Sequence, residues 1–196
     1  VVGPIEDTIS YWKRIGVEAP EALNIPYQLN YHTQRQIFEV DMSYVRRLSF
    51  GYDIHVPGYF IKSKELKKFV PGLITKKQHV DFFHEVPDNE KVILSEIVNF
   101  VSEYRCFIID GEIKGVKHYL GDMLVFPDGK EIYSMVQDYY GAPIGYSLDV
   151  GVLDNGKTVL VECNDGWSLG SYGLDGITYT NLLTKRWFEI TKNAIK

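Results

Sequence analysis

The sequence predicts an α+β protein built from antiparallel sheets and helices. Two hairpin patterns carry this prediction: the run SEYRCFII returns after the Asp110–Gly111 turn, and SLDVGVL returns as TVLVE after the Asn155–Gly156 turn. A third observation is the amphipathic helical pattern of the tail, ITYTNLLTKRWFEI. Strands joined by tight turns run antiparallel, which excludes a doubly wound parallel sheet.

The first half of the chain is predicted to hold two helices and three strands. An amphipathic helix near the N-terminus leads into a proline-punctuated loop. Tyr31 to Phe50 is predicted as a second helix, because apolar residues recur there at three- and four-residue spacing. Strands are predicted in YFIKS, directly after Pro71–Gly72, and in KVILSEIV.

The second half is predicted to hold the two hairpins, with a helix in SMVQDYYGAP between them and the helical tail after them. A composition change near Val56 and a loop near Phe100 suggest three segments. These are a short N-terminal region (1–55), a first lobe (56–100) and a second lobe (101–196).

Length and composition exclude several classes of protein. The chain has 196 residues, 45% of them apolar, and a net charge of −5, as in an ordinary globular protein with a real core. The acidic balance argues against a broad nucleic-acid-binding surface, and no apolar run reaches the length that spans a membrane. Cys106 and Cys163 lie in strand-like runs without zinc or disulfide spacing, which favours reduced core thiols in a cytoplasmic protein.

Oxygen-bearing side chains stand inside the last hairpin, where an apolar pattern would predict valine. Pairing across the Asn155–Gly156 turn sets Asp149 opposite Glu162, with Asn164 one step further on the same face. Like charges opposed on a sheet repel unless a cation lies between them, and hard oxygen ligands suit Mg²⁺. The sequence therefore favours a Mg²⁺ site over the alternative, a solvated sheet face with exposed carboxylates.

A second set of charges occupies strand interiors earlier in the chain: Lys62, Glu96, Glu103, Arg105 and Lys117. Each has an ordinary alternative, since a single strand lysine commonly protects a sheet edge and Arg105 could be a surface partner of Glu103. Together they exceed what edge protection needs and indicate a cleft for a polyanion with its metal.

These residues resemble the nucleotide site of the ATP-grasp superfamily. In D-alanine–D-alanine ligases and relatives, a strand lysine precedes a hinge strand with a glutamate, a ribose-binding glutamate follows seven positions later, and an Asp…Glu-x-Asn set binds metal. The matching positions here are Lys62, Glu96, Glu103, Asp149, Glu162 and Asn164. EYR and VECNDGWSLGSYGL are more closely similar to a small subgroup named for two arginines and a lysine. The likeness runs from about Pro26 to Leu174.

The resemblance implies an ATP-grasp fold, in which two lobes of mainly antiparallel sheet clamp ATP after a short N-terminal region. Glu96 and the backbone from Ile97 to Asn99 would contact adenine, Glu103 the ribose, and Lys62 the phosphates. Mg²⁺ would be held by Asp149, Glu162 and Asn164. Arg105 and Lys117 would stabilise the transferring phosphoryl group or an acylphosphate, and Arg35 matches an arginine of the subgroup.

The implied function is an ATP- and Mg²⁺-dependent carboxylate–amine ligase that forms ADP, acting on a peptide or amino acid. A phosphotransferase and a catalytically silent nucleotide- or peptide-binding module are the alternatives. Three departures concern the substrate: only Gly72 gives flexibility to the phosphate-covering loop, Ser147 replaces an arginine of the D-alanine ligases, and the N-terminal region is short. The last departure favours a homodimer. Lys62→Ala and Arg105→Ala are expected to lower turnover with little effect on folding.

Overall fold

The computed structural model describes residues 3–48, 58–65 and 68–192, which form two compact units. Unit 1 comprises Val1–Gln34 and Phe100–Lys196, and unit 2 comprises Arg35–Asn99. This grouping by contact is a separate property from the segments 1–55, 56–100 and 101–196, which stay a prediction. The predicted boundary near Val56 lies outside the described residues.

Helices and strands alternate along the described chain. Their order is α1 (Ile5–Arg14), a 3-10 turn (Tyr27–Leu29), α2 (Asn30–Thr33), β1 (Ile37–Asp41), α3 (Met42–Arg47), β2 (Tyr59–Ser63), β3 (Gly72–Ile74), α4 (Lys77–Asp81), β4 (Lys91–Glu96), β5 (Phe100–Ile109), β6 (Glu112–Gly121), α5 (Gly129–Asp138), β7 (Gly145–Leu153), β8 (Thr158–Asp165) and α6 (Gly176–Thr191).

Unit 1 contains a four-stranded antiparallel sheet with the order β6-β5-β7-β8. One face carries a buried apolar cluster that includes Cys106, Leu148 and Leu160, packed with Met135 of α5. The other face is covered at one end by a smaller cluster, in which Leu174 and Leu182 lie on Phe107. Beyond that cover, the same face carries charged residues. This division leaves one open, polar area on an otherwise packed sheet.

Unit 2 is a smaller antiparallel sheet with the order β1-β4-β2-β3. Helices α3 and α4 supply Met42, Val45 and Val80 to a cluster that covers one face of the sheet through Ile61 and Leu94. The opposite face follows the other parity of the strands. Each unit therefore has a hydrophobic core of its own.

The predicted helix from Tyr31 to Phe50 is wrong. Helix α2 ends at Thr33, and Gln34 adopts a left-handed conformation with φ 47° directly after it. Ile37–Asp41 is a strand that pairs along its whole length with β4, and only Met42–Arg47 is helical again. Pairing with a distant strand overrides the local spacing of the apolar residues. The end of the predicted helix at Phe50 lies outside the described residues.

The α+β class with antiparallel sheets is confirmed, and so are both predicted hairpins. Cys106 and Cys163 are buried free thiols, and burial raises the pKa of the Cys106 thiol. In the stretches that the structure describes, every helix is too short or too polar to cross a membrane.

Candidate active site

Four charged side chains form one row across the sheet of unit 1. Lys117 on β6 lies opposite Arg105 on β5, Arg105 lies opposite Asp149 on β7, and Asp149 lies opposite Glu162 on β8. Direct cross-strand neighbours have Cβ atoms about 5 Å apart, so each charge interacts with the next. The row therefore runs from two cations to two anions.

A β-bulge sets the anionic end of this row. Towards the turn, the last hairpin pairs Val150 with Leu160, and this register would set Asp149 opposite Val161. The register instead shifts by one residue, so that Asp149 pairs with Glu162 as the sequence predicted. An extra residue in one strand re-aims the side chains that follow it. The bulge thus brings the second carboxylate to the face of the first.

Arg105 and Asp149 form a buried ion pair. Arg105 donates from Nε to Asp149 Oδ1 at 2.7 Å and from Nη2 to Oδ2 at 2.6 Å, and the two residues are only 8% and 2% exposed. Burial raises the pKa of Asp149 to about 6, opposed by the hydrogen bond and charge of Arg105 and reinforced by Glu162 and Glu103. The cation that offsets the repulsion between Asp149 and Glu162 is thus, in part, Arg105.

Asn164 joins the two carboxylates of the row. Its Nδ2 lies 3.1 Å from Asp149 Oδ2 and 3.2 Å from Glu162 Oε1. The three predicted metal ligands therefore converge around one amide nitrogen on a protected face of the sheet.

This set of donors fits Mg²⁺. Half a turn of the Asn164 carboxamide would exchange its nitrogen for its oxygen and bring a third oxygen to the two carboxylates. Mg²⁺ prefers such oxygen donors and keeps several waters. The described residues contain no cluster of three or more His, Cys, Asp or Glu side chains that could hold a metal, so the carboxamide is needed as the third ligand.

Two tyrosines complete the surroundings of the row. Tyr119, the bulged residue of β6, donates its hydroxyl to Glu103 Oε2 at 2.7 Å, and burial raises its pKa so that the proton is retained. The ring of Tyr172 lies over Arg105, with 4.6 Å between the guanidinium carbon and the ring centroid. The two tyrosine rings are 5.4 Å apart. Sequence reasoning missed both, because neither has a motif of its own and a bulge aims Tyr119.

A second buried arginine holds the end of β8 next to Asn164. Arg186 on α6 donates from Nε and Nη2 to the two oxygens of Asp165, at 2.8 and 2.6 Å. Its Nη1 donates to Glu189 at 2.7 Å, and Glu189 also accepts from the backbone of Ile144. This network ties the C-terminal helix to the strand that carries two of the predicted ligands. The sequence offered no signal for it, since the partners are far apart along the chain.

Two predicted nucleotide-binding residues of unit 2 meet at the end of β4. Arg35 donates from Nε to Ser95 Oγ at 2.8 Å. The adjacent Glu96 accepts from the backbone N–H of Gln36 at 2.7 Å. These contacts join the start of β1 to the end of β4.

The other predicted residues of unit 2 are placed by the same sheet. Lys62 lies on β2 opposite Ile93, on the face that also carries Ser95, the partner of Arg35. Ile97 to Asn99 follow β4 outside any strand or helix, and Ile97 is 44% exposed. The structure thus brings one group together in unit 1 and a second in unit 2, while their binding roles stay predictions.

Comparison with protein families identifies one match. A family model described as an ATP-grasp domain of clade family 2 matches residues 32–182, more than half of the chain. This span includes all the predicted site residues. No curated protein sequence matches the chain.

Several solved structures share the fold. The ATP-grasp ligase PsnB complexed with its minimal precursor is 14% identical, with a TM-score of 0.54, over 90% of this chain and 68% of that chain. D-alanine–D-alanine ligase from Bacillus anthracis complexed with ATP is 15% identical, with a TM-score of 0.55, over 86% and 62%. A RimK domain ATP-grasp protein from Sphaerobacter thermophilus is 9% identical, with a TM-score of 0.51, over 94% and 65%.

These likenesses confirm the predicted ATP-grasp fold. At 9–15% identity they concern the fold alone. The chain spans about two thirds of the length of each of these relatives.

Proposed function

The chain belongs to the ATP-grasp family whose model matches residues 32–182, and from this premise we propose that it is an ATP- and Mg²⁺-dependent carboxylate–amine ligase. The substrate carboxylate would be activated as an acylphosphate with formation of ADP, and an amine would then displace phosphate. The proposed substrates are a peptide or an amino acid, and the subgroup named for two arginines and a lysine is the proposed kinship.

One observation carries the proposal: Asp149, Glu162 and Asn164 converge on a protected face of the sheet, beside a paired arginine. Burying carboxylates is unfavourable unless cations or hydrogen bonds compensate. A surface without a ligand would gain nothing from such an arrangement. The set therefore favours a site that works with a divalent cation and a polyanion.

The residues of unit 1 would act on the charges of the reaction. When bound, Mg²⁺ would neutralise phosphate oxygens, held by the three ligands named above. Arg105 and Lys117 would stabilise the negative charge on the transferring group. Tyr119 keeps Glu103 oriented through its hydroxyl, which suits a carboxylate that accepts hydrogen bonds from a ribose.

The residues of unit 2 would bind the nucleotide. Lys62 and Arg35 supply positive charge on the same face of one sheet. Glu96 and the backbone from Ile97 to Asn99 supply the polar edge that adenine recognition requires. Positioning and charge neutralisation suffice for phosphoryl transfer, so a protein nucleophile is not needed.

Binding of ATP, measured by calorimetry with and without Mg²⁺, is the first test. We expect binding that depends on the metal and is lost in Glu162→Ala and Asn164→Ala. Glu131→Ala, an exposed acidic residue at the start of α5, is the matched control. Metal-independent binding that survives both site variants would instead indicate a catalytically silent module.

Release of ADP in the presence of pooled amino acids or peptides is the second test. A ligase is expected to release ADP only when both a carboxylate and an amine are present. Release that needs no amine, with phosphate retained on the acceptor, would contradict ligation and indicate a phosphotransferase. Light scattering of the purified chain tests the proposed homodimer.

A further inference from the structure

Tyr172 adopts a backbone conformation that is unfavourable for a tyrosine. Its φ is 45°, in the left-handed region that favours glycine, although the chain places Gly173, with φ 80°, directly beside it. A bulky residue in this region is an outlier, and such outliers concentrate at functional sites. The side chain must therefore supply something that glycine would not.

Burial of the ring does not explain this choice of residue. Tyr172 is 48% exposed, so much of its apolar surface remains in water. Its contacts are specific instead: the ring covers the guanidinium of Arg105 at 4.6 Å and lies 5.4 Å from the ring of Tyr119. A cation over an aromatic face is attracted by the ring quadrupole.

The guanidinium of Arg105 is thereby held on one edge and one face. Nε and Nη2 donate to Asp149, and the ring of Tyr172 covers one face. Within the described residues, no acceptor is placed on Nη1. The N–H groups of a guanidinium are coplanar, so the remaining edge can bind an oxyanion only in that plane.

We propose that Tyr172 is a positioning residue that fixes the plane of the Arg105 guanidinium, so that its outer edge receives an oxyanion of the substrate. The oxyanion is a carboxylate or a phosphoryl group, which share the geometry that an arginine edge recognises. The inference rests on the proposed function for the identity of the substrate. The recognition itself requires neither ATP nor turnover.

Titration of the protein with inorganic phosphate and, separately, with acetate tests the proposal. The readout is the NMR signal of the Arg105 side-chain Nε–Hε group, assigned by its loss in Arg105→Lys. We expect at least one of the anions to shift this signal in the unmodified protein. A response to phosphate alone assigns a phosphoryl subsite, a response to acetate alone assigns a carboxylate subsite, and a response to both assigns a shared one.

Substitution of the ring then separates positioning from packing. Tyr172→Leu is expected to weaken anion binding at Arg105 by about tenfold and to lower kcat more than it changes the KM for ATP. Tyr172→Phe, which keeps the ring, should restore binding. Tyr133→Leu, the same change at an exposed position of α5, is the control. Tyr172→Gly removes the ring together with the unfavourable φ, so it reports on the ring even if Tyr172→Leu does not fold.

Three results would overturn the proposal. They are an Arg105 signal that responds to neither anion, unchanged anion affinity in both the Leu and Gly variants, and a loss in Tyr172→Phe as large as in Tyr172→Leu. Failure of the ligase proposal is recognised separately. In that case the anion titration gives the expected pattern while ADP is never released.

Discussion

At the scale of single residues, the buried pair of Arg105 and Asp149 changes one expectation from the sequence. Arg105→Ala was expected to affect turnover with little effect on folding. The structure shows both partners buried and joined by two hydrogen bonds. Removing one partner of such a pair leaves an uncompensated charge in the interior. Arg105 therefore contributes to stability as well as to the proposed reaction.

Arg105→Met is expected to lower the free energy of unfolding by about 3 kcal/mol, because Asp149 loses its counter-ion. The double variant Arg105→Met/Asp149→Leu is expected to recover most of this loss, since no buried charge remains. Urea denaturation at pH 7 measures both. A single variant as stable as the unmodified protein would show that the pair is solvated in solution.

The raised pKa of Asp149 predicts a dependence of stability on pH. The unfolded carboxyl titrates near 3.8 and the folded one near 6, so the folded state holds its proton more tightly. The contribution of this group is complete below about pH 4 and is lost as the pH rises through about 6. The difference of about two pKa units corresponds to about 3 kcal/mol.

Unfolding free energies at several pH values between 4 and 7 test this sign. Relative to Arg105→Met/Asp149→Leu, the unmodified protein is expected to lose stability as the pH rises over that interval. The double variant subtracts the other titrating groups, which both proteins share. A relative gain of stability with rising pH would mean that Arg105 holds the pKa of Asp149 below its ordinary value.

At the scale of elements, the last hairpin and the loop after it build the anionic end of the row. The bulge at Val161 aims Glu162 to the face of Asp149. Gly166 then lets the chain turn close to β7: a Cβ there would lie 2.4 Å from the carbonyl oxygen of Gly145. The glycine of the NDGW motif is thus required by a close approach of two backbones.

Gly166→Ala is expected to destabilise the protein by about 2 kcal/mol or more, because the clash is with backbone and cannot be relieved by a rotamer change. Gly176→Ala, in the first turn of α6 with open space around its Cα, is the matched control and should be neutral or slightly stabilising. Chemical denaturation compares the two. Equal stabilities would mean that the turn after β8 adapts freely.

At the scale of the whole molecule, unit 1 closes on itself around the segment that forms unit 2. Gln34, the last residue before that segment, contacts Lys157 at 3.3 Å, and Phe100, the first residue after it, pairs with Leu153. Leu153 and Lys157 are joined by a backbone hydrogen bond at the turn of the last hairpin. Both crossings of the chain therefore leave unit 1 at the same place.

Replacement of residues 35–99 by a short Gly/Ser linker is expected to leave a folded unit 1. All three tryptophans belong to this unit and cluster there, with Trp12 packed on Trp167 and Trp187. Their emission should remain that of buried indoles and should shift to longer wavelength in one urea transition. An emission maximum of exposed tryptophan in buffer would show that unit 1 depends on unit 2. Nucleotide binding is expected to be lost, because Lys62, Arg35 and Glu96 are removed.

Short-range patterns in the sequence were sufficient to predict the class of fold and part of the site. The two hairpins, the pairing of Asp149 with Glu162 and the end of β4 at Glu96 are confirmed. Turn residues and strand alternation act over a few positions, so they are legible without the rest of the molecule. The helix predicted from Tyr31 to Phe50 failed because β4, far along the chain, captures Ile37–Asp41.

What the amino-acid sequence determined by itself was which residue types stand in which strands, and hence the presence of cations and carboxylates where apolar residues would be ordinary. The tertiary structure alone decided which of them meet. Pairing of β5 with β7 brings Arg105 to Asp149 across 44 positions of the chain, and the loop after β8 brings Tyr172 onto Arg105. Such contacts depend on how strands and loops pack over a long separation, which local spacing does not encode.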